Sequence, residues 1–423
     1  MRRLEHQGKS VFAEAGIPVP PSRLVEVGGP AAAADVDAIA GHVQQAAAEL
    51  VAAHGADAPV VVKAQVMMGG RGKAGLIKVA QGPNAAEIAG AAAAAARTVV
   101  ASAAGVGVDL PALLVERGVE IHQELYLSVT ADAAAGRFVI LACAEGGVEI
   151  EELAAQRPEA IHRVSVDPFR GLQPYQARAL GFAMGLPKAQ AMAFAAIVQK
   201  LYQVFRQHDA ELAEINPLFV TADGELVAGD AKLMIDDNSL DRQPGYQLQR
   251  DQFESDAAFE AAREGIPYVQ FDGEISLMCA GAGLTTTVFD LVNLEGGSVA
   301  NYLEFGGPNY RKAGRAMELC LKNRSSVILV VTFGTIARAD VMAQGVVDAI
   351  RELKPDRPIV TCIRGTNEEE AERILRDAGL EPLFDTEEAV RRAIALSGGA
   401  HGGASTTGPA ATSSGASARE ARS

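Results

Sequence analysis

Short apolar runs that alternate with helical patterns dominate the second part of this 423-residue sequence. The runs lie at residues 275–280, 327–333 and 359–362, and helical spacing follows each of them. Strands this rich in Val, Ile and Leu are usually buried on both faces, and their alternation with helices is typical of a parallel sheet covered on both sides. The sequence therefore predicts a doubly wound α/β domain over residues 261–396.

The first part of the chain follows a different pattern, which predicts an α+β unit over residues 1–240. A short amphipathic helix is expected at its start, where Leu4, Val11 and Phe12 supply the apolar positions. Further helices are predicted at residues 31–55, on the surface, and at 177–201, and strands at 59–66, 112–116, 138–144 and 212–220. Residues 241–260 are predicted to form a polar linker, and the Gly-, Ala- and Ser-rich tail of residues 397–423 is predicted to be disordered.

Charge and composition narrow the class of protein. The net charge is 38 − 53 = −15, which argues against nucleic acid or an anionic membrane surface as a partner. The most apolar stretch, residues 88–108, is mostly alanine and falls short of the ~20 strongly apolar residues that a membrane span needs. No apolar segment of a signal peptide follows the first arginines, so a cytoplasmic protein is predicted. The cysteines are far apart and are predicted to be reduced core thiols: Cys143, Cys279, Cys320 and Cys362.

A glycine-rich basic loop, GGRGKAG at residues 69–75, follows directly after the strand predicted at 59–66. Glycines allow a backbone to approach a polyphosphate closely, and Arg71 and Lys73 supply positive charge. The loop lacks the GxxxxGK[ST] spacing of a P-loop. Taken alone, a basic surface loop without a ligand explains it equally well.

Two polar residues on a predicted hairpin are candidates for a metal site. Asn216 lies on the strand predicted at residues 212–220, and Asp230 is predicted on the next strand after the turn at Asp223-Gly224, so that both side chains can project onto one face. An amide oxygen together with a carboxylate suits Mg²⁺, which completes its octahedron with phosphate and water. Without further context, such residues are more often structural turn residues.

Five motifs in one order carry a resemblance to a known family. They are KAQ with GGRGKAG, VE followed by ELYL, GGVEIEE, EINPL and GDAKL. In this order the chain resembles the ATP-grasp β subunits of succinyl-CoA synthetase and the related malate-CoA ligases, from about residue 3 to about residue 395. The resemblance implies an ATP-grasp domain over residues 1–240 followed by a flavodoxin-like domain over residues 261–396.

The resemblance implies a site for Mg²⁺ and ATP, or GTP, in the first domain. The residues that it assigns to the nucleotide are Lys63, Gly70, Arg71 and Gly72 at the phosphates, and Glu116, the backbone of Val119 and Glu124 at the base and ribose. It assigns Asn216 and Asp230 to the metal ion. Glu214 falls where the family has an acid that faces the phosphohistidine loop of a partner subunit, and it is the catalytic candidate.

The implied partner is an α subunit, in an αβ or α₂β₂ assembly, that carries most of the CoA site and the histidine that is phosphorylated. None of the seven histidines of this chain lies in a glycine-rich, anion-binding setting, which agrees with a phosphorylated histidine on another chain. The implied reaction has three steps. The nucleotide phosphorylates the histidine, the phosphate passes to a small carboxylic acid, and CoA displaces it to form the thioester.

Two glycine turns of the second domain are candidates for the acid site, because ligands collect beyond the carboxyl ends of parallel strands and near helix N-termini. The resemblance assigns acid binding to Ala280, Thr335, Ile336 and Ala337. The family reads NGAGLAM and FGGIVRCD where this chain reads AGAGLTTT and FGTIARAD. Alanine thus replaces an asparagine, and hydroxyls are added at residues 335 and 285–287. Our hypothesis is that the acid is not succinate.

Three other interpretations fit part of the pattern. The chain can be a true succinyl-CoA synthetase β subunit with a rearranged acid pocket. It can be a non-catalytic regulatory or scaffolding paralogue, although all the nucleotide and metal positions named above are intact. It can also be a single-chain ATP-grasp ligase of the amide-forming kind, which leaves the second domain unexplained.

Overall fold

The computed structural model describes residues 1–55, 58–148, 150–253, 255–335 and 337–398. The chain divides into two units, Met1–Gln252 and a second one that begins at Phe253. The division falls inside the segment predicted as a linker, residues 241–260, which also contains the first residues of a helix. The predicted tail lies outside the described residues from position 399 onward.

Unit 1 contains six helices and ten strands within its described residues. In chain order they are α1 Glu5–Glu14, β1 Ser22–Pro30, α2 Val36–His54, β2 Val60–Gln65, β3 Ile77–Ala80, α3 Ala85–Val106, β4 Asp109–Arg117, β5 Ile121–Asp132, β6 Arg137–Cys143, α4 Ile150–Gln156, β7 His162–Val166, α5 Pro174–Ala183, α6 Lys188–Gln207, β8 Ala210–Thr221, β9 Leu226–Ala228 and β10 Lys232–Ile235.

These strands form two antiparallel sheets, and helices cover each of them. The first sheet has the order β1-β4-β2-β3, and its buried side chains, among them Val62 and Leu113, pack with α2 and α3. The second sheet has the order β10-β8-β5-β6-β7, with β9 paired to β8. Its core includes Leu127, Ile215 and Phe194 of helix α6. Each sheet thus has its own apolar core within unit 1.

Two helix predictions differ from the structure. The alanine-rich helix predicted on the surface is α2, and its Val43, Ala47 and Leu50 are buried against the first sheet. The sequence did not indicate this buried face, because small, weakly apolar alanines give little difference in hydrophobicity between the two sides of the helix. The helix predicted at residues 177–201 is in fact two helices, α5 and α6, which are separated just before Pro187 because proline cannot continue the first of them.

Helix α3 is long and apolar enough to cross a membrane by length and composition. Half of its most apolar window is buried inside the structure, where α3 packs on α2, β2 and β3. Ile88, Ala92, Ala96 and Val99 line the buried side. The helix is therefore accounted for as a core helix of unit 1.

Unit 2 contains six helices and five strands within its described residues. In chain order they are α7 Asp256–Arg263, β11 Tyr268–Gln270, β12 Ile275–Ala280, α8 Ala282–Leu294, β13 Val299–Leu303, α9 Ala313–Leu321, β14 Val327–Gly334, α10 Ala339–Leu353, β15 Ile359–Gly365, α11 Glu368–Asp377 and α12 Thr386–Leu396.

The sheet of unit 2 has the order β11-β13-β12-β14-β15. The four strands β13, β12, β14 and β15 run parallel, and the short edge strand β11 is antiparallel to β13. Apolar clusters lie on both faces of the sheet, one under α9 and α10 and one under α8 and α12. The predicted doubly wound parallel sheet is confirmed. All four cysteines are buried free thiols, as predicted.

Candidate functional site

A polar cleft of about 320 Å³ in unit 1 collects six of the predicted site residues. One wall is the glycine loop after β2, and another is formed by β8 and the segment between β9 and β10. The predicted residues that line it are Gly70, Arg71, Gly72, Glu214, Asn216 and Asp230. The fold thus brings the basic loop and both metal candidates to one place.

The Arg71 side chain points inward and joins the glycine loop to the opposite wall. Its guanidinium donates to Asp230 Oδ2 at 2.6 Å, to Glu5 Oε2 at 2.6 Å and to the Ala64 carbonyl at 3.0 Å. Lys73, the other cation of the loop, is exposed. Asp230 lies in the connection between β9 and β10, rather than on a hairpin strand as its spacing predicted.

Beneath the cleft, Lys63 is part of a buried ionic network. Its Nζ donates to Glu5 Oε1 at 2.9 Å and to the Gly229 carbonyl at 2.7 Å, and it lies 2.8 Å from Glu116 Oε1. A second lysine, Lys9, bonds the same two carboxylates and the same carbonyl. Lys63 and Glu116 thus meet, as expected for neighbours in one site, although neither lines the cleft surface.

The network shifts the pKa values of Glu5 and Lys63 toward their charged forms. Burial alone favours the neutral acid, but Lys9, Lys63 and Arg71 hold the pKa of Glu5 well below its ordinary value. Burial likewise opposes the charge of Lys63, and Glu5 and Glu116 outweigh it, so that the pKa of Lys63 is raised. Glu5 and Lys63 are therefore held in their charged forms by partners of opposite charge.

Asn216 is held by the loop that follows β6. Its Oδ1 accepts the N–H of Gly147 at 2.8 Å, and its Nδ2 donates to the Val148 carbonyl at 3.0 Å. Gly147 has a φ of +69°, which glycine adopts without strain, and a Cβ there would lie 2.3 Å from Glu124 Oε2 unless that side chain moved. The GGVEIEE motif thus places its backbone in hydrogen-bonding contact with Asn216, the candidate metal ligand. Glu149 of that motif lies outside the described residues.

Glu214 lies on β8 and lines the cleft. Its Oε2 accepts the hydroxyl of Tyr126 at 2.9 Å, and its Cα is in register with Lys232 of β10. Burial raises the pKa of Glu214, and burial with the nearby Glu214 charge raises that of Tyr126. A carboxyl with a raised pKa in a cleft is a candidate for a functional group that exchanges a proton or responds to a nearby charge.

The raised pKa of Glu214 makes a testable contribution to stability. A carboxyl whose pKa is raised by folding stabilises the fold below its unfolded pKa, and this contribution is lost as the pH rises through the folded pKa. We therefore expect Glu214→Gln to raise the melting temperature at about pH 8 by more than at about pH 4. Calorimetry at both pH values checks this, and a larger gain at the lower pH would contradict it.

The two remaining residues assigned to the base and ribose, Val119 and Glu124, do not line the cleft. Glu124 is half-buried on β5, where burial raises its pKa, and its carboxylate lies against Gly147. Val119 lies in the connection between β4 and β5. Their nucleotide contacts remain predictions.

Sequence reasoning missed Glu5, Lys9 and Arg2. The first helix was predicted from its apolar residues, yet its buried face is Glu5, Gly8, Lys9 and Phe12. The i, i+4 spacing of Glu5 and Lys9 was visible, but such pairs usually lie on solvated helix faces. Arg2 lines the cleft, where burial and the neighbouring Arg71 lower its pKa.

In unit 2, the predicted acid-site residues lie at the carboxyl edge of the parallel sheet. Ala280 ends β12 and is in register with Thr332 of the neighbouring β14, and Thr335 and Ala337 follow the end of β14. Thr335 is exposed and Ala337 is half-buried. Ile336 lies outside the described residues.

One part of the acid-site prediction was wrong. The hydroxyls of Thr285, Thr286 and Thr287 do not extend into a pocket as donors. They donate to the carbonyls four residues earlier in helix α8, at 2.8, 3.0 and 2.9 Å, which is a common arrangement for threonine in a helix. The first turn of α8 instead presents Gly281, with a φ of +102°, whose N–H donates to Glu304 Oε1.

The donor set of the cleft fits Mg²⁺ bound together with phosphate. Asn216 and Asp230 supply an amide oxygen and a carboxylate, and no group of three or more His, Cys, Asp or Glu suited to a metal occurs among the described residues. Mg²⁺ typically takes one or two protein oxygens and completes its shell with phosphate and water. The side-chain oxygen of Asn216 would have to give up the hydrogen bond from the Gly147 N–H to be fully available to the metal ion.

Comparison with known protein families decides the assignment of the two domains. A family model described as an ATP-grasp domain matches residues 3–220, and one described as CoA-ligase matches residues 278–396. The chain belongs to the ATP-grasp CoA-ligase family. The predicted family and the order of its two domains are thereby confirmed.

Curated relatives match nearly the whole chain. An ADP-forming sulfoacetate-CoA ligase subunit SauC from Bilophila wadsworthia is 54% identical over 94% of this chain and 100% of its own length. A corresponding subunit, SqwK, from an Acholeplasma species is 50% identical over 94% and 92%. The β subunit of an ADP-forming succinate-CoA ligase from Halorhodospira halophila is 40% identical over 93% and 98%. The chain is thus an acid–CoA ligase, and the relatives that it matches are named as subunits of ADP-forming enzymes.

Among solved structures, ATP citrate lyase from Methanothrix soehngenii has the same arrangement of elements. It has a TM-score of 0.66 and covers 93% of this chain and 99% of its own, at 17% identity. At this identity the likeness concerns the fold alone.

Proposed function

We propose that the chain is the nucleotide-binding β subunit of an ADP-forming sulfoacetate-CoA ligase, and that it acts with an α subunit. The identities of 54% and 50% to two sulfoacetate-CoA ligase subunits carry this proposal, since the succinate-CoA ligase β subunits among the relatives lie at 36–40%. The altered acid turn at Ala280 points in the same direction.

The nucleotide phosphates bind in the Arg71 cleft. Arg71 in the cleft and Lys63 beneath it supply positive charge, and the glycines at positions 69, 70 and 72 allow the loop backbone to approach the phosphates closely. Asn216 and Asp230 would hold Mg²⁺, which supplies charge neutralisation at the transferred phosphoryl group. Glu214 lies in the same cleft, where it orients the partner's histidine when that side chain enters.

The chemistry proceeds in three balanced steps. The γ-phosphoryl group passes to a histidine nitrogen of the α subunit, and ADP leaves. A carboxylate oxygen of the acid then attacks that phosphorus, which forms an acyl phosphate and frees the histidine. The CoA thiolate attacks the acyl carbon, and phosphate leaves. The α subunit is proposed to hold most of CoA, in a cytoplasmic complex.

Sulfoacetate and succinate differ at the end remote from the reacting carboxylate. Sulfoacetate carries a tetrahedral sulfonate with three oxygens, and its carbon chain is one methylene shorter. Ala280 leaves more room at the carboxyl edge of β12 than asparagine would, and the exposed Thr335 adds a hydroxyl donor. A bulky anion of this shape favours space and several donors over one amide.

A phosphotransfer assay tests the nucleotide half of the proposal. With γ-labelled ATP and Mg²⁺, label should appear on the α subunit's histidine only when this chain is present. Arg71→Met should slow the labelling about 10²-fold or more, because it removes a charge at the phosphates. Arg242→Met, which removes an exposed arginine paired with Asp209, is the matched control and should label like wild type. Equal labelling by both variants would contradict the assignment of the cleft.

A pocket reversion tests the acid half. Ala280→Asn combined with Thr335→Gly and Ala337→Val restores the succinate-type residues. We expect it to lower the ratio of kcat/KM for sulfoacetate over succinate by about 10-fold or more. Thr287→Ala, whose hydroxyl is bonded within helix α8, is the control and should leave the ratio unchanged. An unchanged ratio in the triple variant would remove these residues from acid recognition.

A further inference from the structure

The hydrogen-bond donors of Lys63 are already in use. Three acceptors lie within 2.9 Å of its Nζ: Glu5 Oε1, Glu116 Oε1 and the Gly229 carbonyl. An ammonium group has three N–H donors. Contact between Lys63 and a nucleotide phosphate therefore requires that Lys63 release at least one of these partners.

Release of a carboxylate at this position is unfavourable unless another cation remains. The side chains of Glu5 and Glu116 are only 2% and 3% exposed, so water does not replace a lost partner. Arg71 also bonds Glu5, but it faces the cleft and pairs with Asp230. A phosphate would thus compete for Arg71 and Lys63 at the same time. Buried carboxylates without a cation are strongly disfavoured.

Lys9 has the contacts needed to compensate. Its Nζ lies 2.9 Å from Glu5 Oε1 and 2.9 Å from the Gly229 carbonyl, and it donates to Glu116 Oε2. Its side chain is 4% exposed, and it is not among the residues that line the cleft. Lys9 therefore bonds the same three residues that hold Lys63, and it is the more deeply buried of the two lysines, since the Lys63 side chain is 9% exposed.

Given a nucleotide in this cleft, as proposed above, we infer that Lys9 is a resident counter-ion for nucleotide binding. It stays with Glu5 and Glu116 when the phosphates draw Lys63 and Arg71 away. It is a positioning residue, because it acts through the two carboxylates and does not touch the nucleotide. Two lysines on two carboxylates thus allow one lysine to change partners.

Removal of Lys9 should weaken nucleotide binding at a distance. In Lys9→Met, Glu5 and Glu116 depend on Lys63 and Arg71, which then resist transfer to the phosphates. We expect the Kd of the full chain for Mg-ATP, measured by calorimetry, to rise about 10- to 100-fold. Lys322→Met removes another ion-paired lysine, the partner of Glu260 in unit 2, and should bind like wild type.

A compensating change separates this role from simple support of the fold. Lys9→Met combined with Glu5→Gln removes one cation and one carboxylate, so the Kd should return to within about 3-fold of wild type. A Kd of Lys9→Met equal to wild type, or a double variant no better than Lys9→Met, would overturn the inference.

Glu5→Gln alone provides a second test in case Lys9→Met does not fold. It removes a competitor for Lys63 and Arg71 and should tighten Mg-ATP binding about 3-fold. Weakening by 10-fold or more would overturn the inference, since Glu5 would then be holding the cations in place for the phosphates. Absence of Mg-ATP binding by wild type would overturn both this inference and the proposed nucleotide site, whereas normal binding by all variants would overturn this inference alone.

Discussion

Replacement of Asp230 by asparagine is expected to lower acid-dependent ADP release about 10²-fold or more, with little change in the melting temperature. Asp230 is the carboxylate of the proposed metal pair, and Asn216, its partner, carries no charge. Asparagine keeps an oxygen at this position but loses the charge that attracts Mg²⁺. The fold should tolerate the change, because the Asp230 side chain is 30% exposed and Arg71 keeps its bond to Glu5.

The matched control is Asp209→Asn. Asp209 also pairs with an arginine of unit 1, Arg242 at 2.8 Å, and its side chain is 24% exposed, but it does not line the cleft. ADP release by this variant should equal that of wild type. Raising Mg²⁺ should restore part of the rate in Asp230→Asn and none in a variant that is merely unfolded. Wild-type rates in Asp230→Asn would remove the metal assignment.

Replacement of Gly365 by alanine should destabilise unit 2 by about 3–5 kcal/mol. Gly365 ends β15 with a φ of +115°, where L side chains are strained, and a Cβ there would lie 2.0 Å from the Gly334 carbonyl oxygen. Gly334 pairs with Gly365 in the sheet and begins the turn that carries Thr335 and Ala337. The clash cannot be relieved by a side chain, since the obstructing atoms belong to the backbone.

Differential scanning calorimetry checks this prediction. A domain of this size loses about 2–4 °C for each kcal/mol, so a melting temperature lower by about 6–20 °C is expected. Gly379→Ala is the control, because its φ is +79° but no atom lies within 4 Å of the added Cβ. It should cost only about 1–2 kcal/mol. Equal losses in the two variants would show that backbone conformation alone, and not the contact with Gly334, sets the cost.

The parallel sheet of unit 2 was predictable from sequence because its strands are buried on both faces. Val327, Leu329 and Val331 face one apolar cluster, and Ile328 and Val330 face the other. A short continuous run rich in Val and Ile is typical of a strand covered on both faces, and its length and β-branched residues distinguish it from a buried helix. The short edge strand β11 consists of Tyr268, Val269 and Gln270 only, none of which is fully buried, and it gave no such signal.

The cleft was predictable only in part, for physical reasons. Arg71 and Asp230 could be named because the order of the five motifs matches the family's phosphate and metal positions, whereas each residue taken alone fits an ordinary loop or turn. Glu5 and Lys9 look like any solvated pair on a short helix, because periodicity reports where apolar residues lie and not which charges are buried between them. The role of Lys9 depends on contacts with residues more than 100 positions away, Glu116 and Gly229.

The threonines of helix α8 give the opposite lesson. Their hydroxyls suggested new pocket donors, yet the hydrogen bond to the carbonyl four residues earlier is always within reach in a helix. Ala280, at the end of β12, is the stronger signal of a changed acid site, because alanine in place of asparagine leaves no side-chain donor at this position.

The most direct test of the central claim is the acid preference of the complex of this chain with its α subunit. CoA-dependent ADP release should be measured with Mg-ATP over a series of concentrations of sulfoacetate and of succinate. The account predicts a kcat/KM for sulfoacetate at least about 10²-fold above that for succinate, with steady-state ADP release abolished when CoA is omitted. An equal or higher kcat/KM for succinate would contradict it and would make the chain a succinate-CoA ligase β subunit with a rearranged acid pocket.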